Sequence, residues 1–294
     1  MSLRVKTVTW VGDGSAGLKT ISGAGFAPKL FVGWSAETAS WLNNAFYWID
    51  TMPAGSAYDW YDNGDSGAIS GLTKLSAFTS DGITINVGST YKALNSSGVT
   101  YYGVFIGGDD IVTGHYTGDG TDNRAITGVG AQPEFVWIAN NYQHCVFKTL
   151  ASGASTDVCS YIVNLADISN GIQSLDADGF TVGSSVRTND DTAGKKDYYW
   201  FAIKQSSAIK TVQYTGNATD NRNITTPSLD PLLALIKSTT TDVMVWRDYD
   251  MSGDVTKYAG GGAFSANNIQ SFITGGVQVG TDTKVNGNTK TIVS

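Results

Sequence analysis

The residues of this chain of 294 amino acids that have the chemistry for catalysis are few and scattered. Glutamate occurs only as Glu37 and Glu134, while aspartate is common. Glycoside hydrolysis needs two carboxyl groups about 5–10 Å apart. The nearest arrangement in sequence is Asp59, Asp62 and Asp65 in the stretch YDWYDNGD, which reads first as a solvated acidic loop. His115 and His144 each lack a second histidine at metal-ligand spacing, and no Ser/His/Asp set stands at a defined spacing for nucleophilic attack. Asp119, Asp122 and Asn123, and again Asn217, Asp220 and Asn221, are residue types that hold Ca2+. The same residues cap their own turns without a metal, and a similar turn starting at Asp13 carries Ala16 and Gly17 instead. The expectation is a protein that is not an enzyme and has no cofactor and no metal.

Aromatic residues are the stronger signal. Trp41, Tyr58, Trp60 and Tyr61 lie in loop-like sequence beside Asn43, Asn44, Asp59, Asp62 and Asn63. Aromatic faces next to Asp and Asn side chains suit a sugar-binding patch, and equally a protein interface. Packing within the fold is the third reading. These four aromatics are the candidate glycan or partner surface.

The elements that must position such residues follow from an internal repeat. Val112–Ala139, VTGHYTGDGTDNRAITGVGAQPEFVWIA, has an earlier copy in KTVTWVGDGSAGLKTISGAGFAPKLFVGW from Lys6 and a later one in KTVQYTGNATDNRNITTPSLDPLLALIK from Lys210. Tyr116 matches Trp10 and Tyr214, Gly118 matches Gly12 and Gly216, Ile126 matches Ile21 and Ile224, and Pro133 matches Pro28 and Pro231. Matches in fixed order, spaced by about a hundred residues, mark a repeated structural unit. Each copy reads as strand, turn, strand, turn, strand: an alternating opening, Gly and Asp residues for the reversal, then proline ahead of a continuous apolar run. A short run such as Phe135, Val136, Trp137 and Ile138, bounded by breakers, predicts a strand buried on both faces.

A fourth strand is expected where Phe46, Tyr47, Trp48 and Ile49 align with Cys145, Val146, Phe147 and Lys148 and with Met244, Val245, Trp246 and Arg247. Each repeat closes with a second signature: SDGITINVG at Ser80, ADGFTVG at Ala177 and GVQVG at Gly276. A loop containing Asn95, Asn189 or Asn286 follows. Tyr101–Ile106 and Tyr198–Ile203 are the closing strands, and the third copy has only NTKTIVS there, so its sheet is expected to be capped or to need a neighbour. Repeats of this kind, with turn signals every eight to twelve residues, predict an all-β fold. They divide into three tandem β-sandwich or jelly-roll repeats at 4–107, 108–206 and 207–294, packed as one block through short linkers.

Composition agrees. Gly is abundant at 35 residues, Pro scarce at 5, and charged residues make up 15% of the chain, so strands joined by tight turns are expected and helix is a minor component. The net charge of −7, with no basic cluster, argues against nucleic acid as a partner. No apolar run is long enough to span a bilayer, no signal peptide is expected, and two cysteines do not make a disulfide framework.

The stretch YTGDGTDNRAITGVGAQPEFVWIA from Tyr116, followed by SLDADGFTVGSSVRTNDDTAGKKDYYWFAIK from Ser174, resembles a repeated domain of tail-fibre and other virion proteins of tailed bacteriophages. The resemblance runs through all three copies and is nearest in the middle one. It departs after Ile138, where Ala139, Asn140 and Asn141 keep only part of that family's polar continuation. It implies a concanavalin-like two-sheet fold and a structural role in a virion, assembled in the host bacterial cytoplasm. Its expected partners are other virion proteins or further copies of itself, and it carries over no catalytic residue. The alternative expectation is a carbohydrate-binding module that reads host surface glycans through the aromatic segment of the first repeat.

Overall fold

The computed structural model describes residues 2–35, 45–53, 57–60, 69–70, 75–87, 94–140, 143–191, 196–226, 229–259 and 264–294. The first third holds β1 (Arg4–Val11), β2 (Gly17–Ser22), β3 (Pro28–Ser35), β4 (Ala45–Ile49), β5 (Ala57–Trp60), β6 (Ile69–Ser70), β7 (Leu75–Thr79), β8 (Gly82–Val87) and β9 (Thr100–Gly107). The second holds β10 (Ile111–Thr117), β11 (Arg124–Thr127), β12 (Pro133–Asn140), β13 (Val146–Thr149), β14 (Ser160–Tyr161), β15 (Ile172–Asp176), β16 (Gly179–Val182) and β17 (Asp197–Lys204). The last holds β18 (Gln213–Thr215), β19 (Arg222–Thr225), β20 (Leu233–Ser238), β21 (Val245–Asp248), β22 (Lys257–Tyr258), β23 (Ile269–Ile273), β24 (Gly276–Val279) and β25 (Thr291–Val293). The protein is all-β, and the four-residue α1 (Thr283–Asn286) is the one helix among the described residues.

Each third builds one larger and one smaller antiparallel sheet, and no sheet mixes strands from two thirds. The larger sheets run β1-β9-β3-β4-β5-β6, β10-β17-β12-β13-β14 and β18-β25-β20-β21-β22. The smaller run β2-β8-β7, β11-β16-β15 and β19-β24-β23. The closing strand always lies between the opening strand and the proline-led strand, so the two ends of each repeat pair side by side at one edge of its larger sheet. Trp10 stands opposite Tyr101 and Tyr116 opposite Tyr198, and both pairs stack, with ring centroids 5.2 and 5.4 Å apart. The third closing strand, β25, needs no neighbour to enter a sheet: it pairs with β18 and β20 of its own third.

The register corrects the alignment of the fourth strand. Val32 pairs with Tyr47, Trp137 with Phe147 and Leu235 with Trp246. Tyr47 is therefore the counterpart of Phe147 and Trp246, while Trp48 matches Lys148 and Arg247, and Cys145 matches Ala45. Matching aromatic to aromatic had shifted the first copy by one residue, and a one-residue slip exchanges the two faces of a strand.

Both faces of the larger sheets are covered. One packs on the smaller sheet of the same third, as in the edge-on contact of Trp200 with Phe180 at 5.3 Å and the stack of Trp48 on Phe78 at 4.3 Å. The other packs against the neighbouring thirds. Trp137 meets Tyr47 at 5.3 Å and donates its indole Nε1–H to the Tyr47 hydroxyl at 2.9 Å, while Trp34 meets Trp246 at 5.9 Å. All eight residues of β12 are consequently buried. One continuous apolar core joins the first two thirds to Met244, Trp246, Met251 and Ala259 of the last, which also has a smaller core of its own around Ile236 and Val277.

Removing a buried aromatic at this junction loses its transfer free energy and leaves a cavity. Trp137→Ala should cost about 3–5 kcal/mol and split the calorimetric unfolding transition, because Trp137 couples two thirds. A single transition at an unchanged midpoint would show that the junction does not hold the thirds together.

Candidate functional site

The residues shared by the three copies converge on one construction. Asn95, Asn189 and Asn286 are buried, and their side-chain carbonyls accept the backbone N–H of Asp13, Asp119 and Asn217 at 3.1, 3.0 and 3.0 Å. The Asn189 amide donates back to Asp119 Oδ1 at 2.9 Å and to the Thr121 carbonyl at 2.7 Å. A cation completes each copy. Lys19 donates to Asn95 at 2.8 Å, Arg124 to Asn189 at 2.9 Å and Arg222 to Asn286 at 3.0 Å. The turn between the first two strands is thereby fastened to the loop before the closing strand. Gly12, Gly118 and Gly216 belong to the same construction, since a Cβ there would overlap the carbonyl oxygens of Ser96, Asp190 and Gly287.

The oxygen-rich turns considered for Ca2+ are thus used otherwise. Asp119 accepts the Thr121 hydroxyl and N–H at 2.6 and 2.9 Å; these bonds, with Asn189 and Arg124 beside them, hold its carboxyl down to about 2. Asp122 accepts from Gln173 and from Asn123 at 2.9 Å. No group of three potential metal ligands occurs among the described residues.

Where the larger sheets of the three thirds meet lies a partly open apolar cavity of about 390 Å³, lined by Leu30, Val32, Tyr47, Phe135, Trp137, Phe201, Leu233, Leu235 and Trp246 among others. Lys210, Thr211, Asp230 and Ser294 also contribute to its wall. Burial raises the Tyr47 hydroxyl well above its ordinary range. The arrangement accommodates apolar groups and offers no pair of carboxylates.

Buried charged residues were not singled out in the sequence, although Lys148, Lys237 and Arg247 each end an apolar run. Lys237 donates to the carbonyls of Ser238, Thr240 and Leu165 at 2.5, 2.7 and 3.4 Å, the last across the boundary between the second and last thirds. Burial pulls its ammonium down to about 8, against the attraction of Asp167 and Asp242. Lys148 donates to the Thr156 and Val158 carbonyls at 2.6 and 2.7 Å, and Arg247 to those of Met251 and Gly253 at 2.7 and 2.6 Å. Burial pushes the Asp248 carboxyl up to about 7, although the N–H groups of Asp250 and Met251 oppose this. Its Oδ2 has no hydrogen-bond partner.

Of the candidate surface, Trp41 and Tyr61 lie outside the described residues, as do Glu37, Asn43, Asn44, Asp62, Asn63 and Asp65. Tyr58 and Trp60 are not in a loop: they belong to β5, opposite Tyr47 and Ala45 on β4. The alternation Ala57, Tyr58, Asp59, Trp60 has the period and the aromatic content of a strand. Glu134 is buried and fastens the start of the last third, its Oε1 accepting the N–H and hydroxyl of Thr211 at 2.9 and 2.6 Å. Lys29, one repeat earlier, donates to the Ile111 carbonyl at 3.0 Å and does the same for the second third. His115 is exposed, with its ring 5.8 Å from that of Tyr199. Both cysteines are buried, and burial pushes the Cys159 thiol up to about 12, which leaves it unreactive.

Residues 107–208 match a domain of unknown function, DUF7483. The match spans the middle repeat nearly end to end, from β9's last residue to the linker before β18. No curated protein and no solved structure matches the chain.

Two measurements follow from this geometry. Asn189→Ala strips two acceptor and two donor roles from a buried position and should destabilise the protein by about 2–4 kcal/mol, read from the urea midpoint. Backbone amide exchange at Asp119 should accelerate as well. An unaltered midpoint would mean that the loop is held by other contacts.

Asp248 carries the pH dependence. Its folded pKa lies above the unfolded value of 3.8, so its contribution is full below that value and is lost as pH rises through about 7. Between pH 5 and pH 8 this group should cost roughly 2–4 kcal/mol. Lys237, with its folded pKa lowered, acts oppositely: its stability is present above its unfolded value and lost as pH falls through about 8. Urea midpoints at the two pH values should converge in Asp248→Asn relative to the parent, and an undiminished difference would assign the slope to other groups.

Proposed function

We propose that this chain is a non-enzymatic structural or assembly protein of a tailed-bacteriophage virion, a tail-fibre, tail or capsid decoration component that acts through its surfaces. In this reading its sheet pairs are three tandem β-sandwich repeats of the jelly-roll or concanavalin-like kind, over 4–107, 108–206 and 207–294, packed as one block. One observation carries it. The residues that make up the resemblance to virion proteins, among them Gly118, Asn189 and Tyr198, go into turn closure, the asparagine fastening and the core, and those of them that line the central cavity, Phe135, Trp137, Phe201 and Ile203, are apolar core residues. A sequence signature spent on scaffold fits a protein whose work is assembly. Three like surfaces in one chain also suit a partner with threefold or sixfold symmetry. Its partners would be other virion proteins or further copies of itself, without nucleic acid or membrane insertion. Quantitative mass spectrometry of gradient-purified particles should find the chain at a fixed copy number per particle, and its absence from the particles would end the proposal.

The second reading, a carbohydrate-binding module for host glycans, rests on the first third alone. Its larger sheet has six strands among the described residues where the other two have five, and the extra strand, β6, pairs with the β5 that carries Tyr58 and Trp60. If the aromatic segment binds sugar, Trp60→Ala and Tyr61→Ala should abolish retention on a glycan array while leaving the unfolding temperature unchanged. Equal retention by parent and variants would remove this reading.

A further inference from the structure

The loop that carries the fastening asparagine seats a cation over a tyrosine in both the second and the last third, with one member changed. Residues 183–189 align one for one with 280–286, which matches Arg187 with Lys284 and Ser185 with Asp282. Tyr161 and Tyr258 hold the same position on the edge strands β14 and β22, opposite Val146 and Val245. The Arg187 guanidinium lies 5.1 Å over the Tyr161 ring, and the Lys284 ammonium 5.5 Å over the Tyr258 ring. The two cations are seated alike. The corresponding stretch of the first third, 88–93, lies outside the described residues.

What differs is the counter-charge. The two carboxylate oxygens of Asp282 stand 3.2 and 3.3 Å from the Lys284 ammonium, and Oδ1 also accepts the Lys284 backbone N–H at 2.9 Å. In the second third Ser185 keeps the backbone role, its hydroxyl accepting the Arg187 N–H at 3.3 Å, but it brings no charge. Among the described residues nothing accepts a hydrogen bond from the guanidinium, whose Nε is buried without a partner. The group is held in place all the same. It is half-buried and stacked on Tyr161, and the Asn140 amide fixes the carbonyls of Val186 and Arg187 at 3.2 and 3.3 Å. A cation ordered in advance loses little freedom when an anion arrives.

We propose that Arg187 is the centre of a carboxylate-binding site that takes an aspartate or glutamate side chain of a partner polypeptide. The last third shows which chemistry the seat accepts, because Asp282 supplies a carboxylate to it from within the chain. Arginine in place of lysine adds a planar fork whose terminal nitrogens grip both oxygens of one carboxylate, where an ammonium offers a point charge. The partner is a polypeptide and not a sugar, since a sugar ring needs an open aromatic face. Tyr161 is buried, with Arg187 over its ring and His144 edge-on at 6.3 Å. Val186 beside it is 37% exposed and gives a peptide an apolar contact. The inference stands independently of the virion role, which its failure would leave as it is.

The test titrates the full chain with acetyl-Gly-Asp-Gly-amide and follows two resonances, the Arg187 side-chain Nε–H and the Val186 backbone amide. Both should shift saturably, and the asparagine peptide acetyl-Gly-Asn-Gly-amide should bind about tenfold more weakly. Ser185→Asp brings a carboxylate to the seat as Asp282 does, and should weaken the aspartyl peptide by about tenfold, while Ser185→Asn keeps the parent's affinity. Arg187→Gln should abolish the Val186 shift, with the rest of the amide spectrum showing that the variant is folded. Equal binding of the two peptides, or undiminished binding by Ser185→Asp, overturns the carboxylate seat. Glucuronate binding more tightly than the aspartyl peptide makes the occupant an acidic sugar and overturns the polypeptide partner. No saturable shift with any of these probes overturns the site itself.

Discussion

A sheet with apolar side chains on both faces has to be covered twice, and the larger sheets of this protein have that character throughout. The smaller sheet of the same third covers one face, which leaves Tyr47, Phe135, Trp137, Phe147, Phe201 and Trp246 on the other. Packing those faces on one another removes from water side chains that each contribute about 1.5–3 kcal/mol on full burial. It also turns three locally folded segments into one core. The short linkers, the contacts of Lys29 and Glu134 with the start of the next third, and the Tyr47–Trp137 hydrogen bond all follow from that closure.

Within each third, the asparagine fastening makes the pattern repeatable. The opening and closing strands are far apart in sequence, and placing them side by side fixes a long loop at an entropic cost. Asn95, Asn189 and Asn286 offset part of that cost by satisfying backbone groups of the opening turn from the loop that precedes closure. The glycine at the turn lets the two backbones approach to that distance. Lys19, Arg124 and Arg222 differ in chemistry but reach the same amide oxygen, so what the copies share is a donor at that point.

Charge is buried on both faces of the larger sheets, with Lys237 at the boundary between the second and last thirds and Lys148 and Arg247 bonded within their own thirds. Lys148, Lys237, Arg247 and Asp248 are buried, the three cations held mainly by backbone carbonyls. Such groups are costly to leave unpaired, so the surrounding loops must keep one conformation to supply the carbonyl oxygens. Asp248, with one oxygen unsatisfied, is the member of the set whose neutral form the fold favours.

The repeat, the all-β class, the order of strands and the positions of the turns were legible from residue types alone, because glycine, proline and the two-residue period act locally. The asparagine column was visible as a recurrence, though its role was not, since its partners lie about seventy to eighty residues away. Three things only the tertiary structure decided. The register of the fourth strand is set by cross-strand hydrogen bonds, which placed Tyr47 and not Trp48 at the junction. Tyr58 and Trp60 became strand residues because β4 was there to pair with them. Glu134, which resembled a lone carboxylate, acquired its partner when Thr211 was brought beside it. Local sequence encodes which strands form and where they turn, while contacts between distant segments determine which face looks inward and what each buried charge touches.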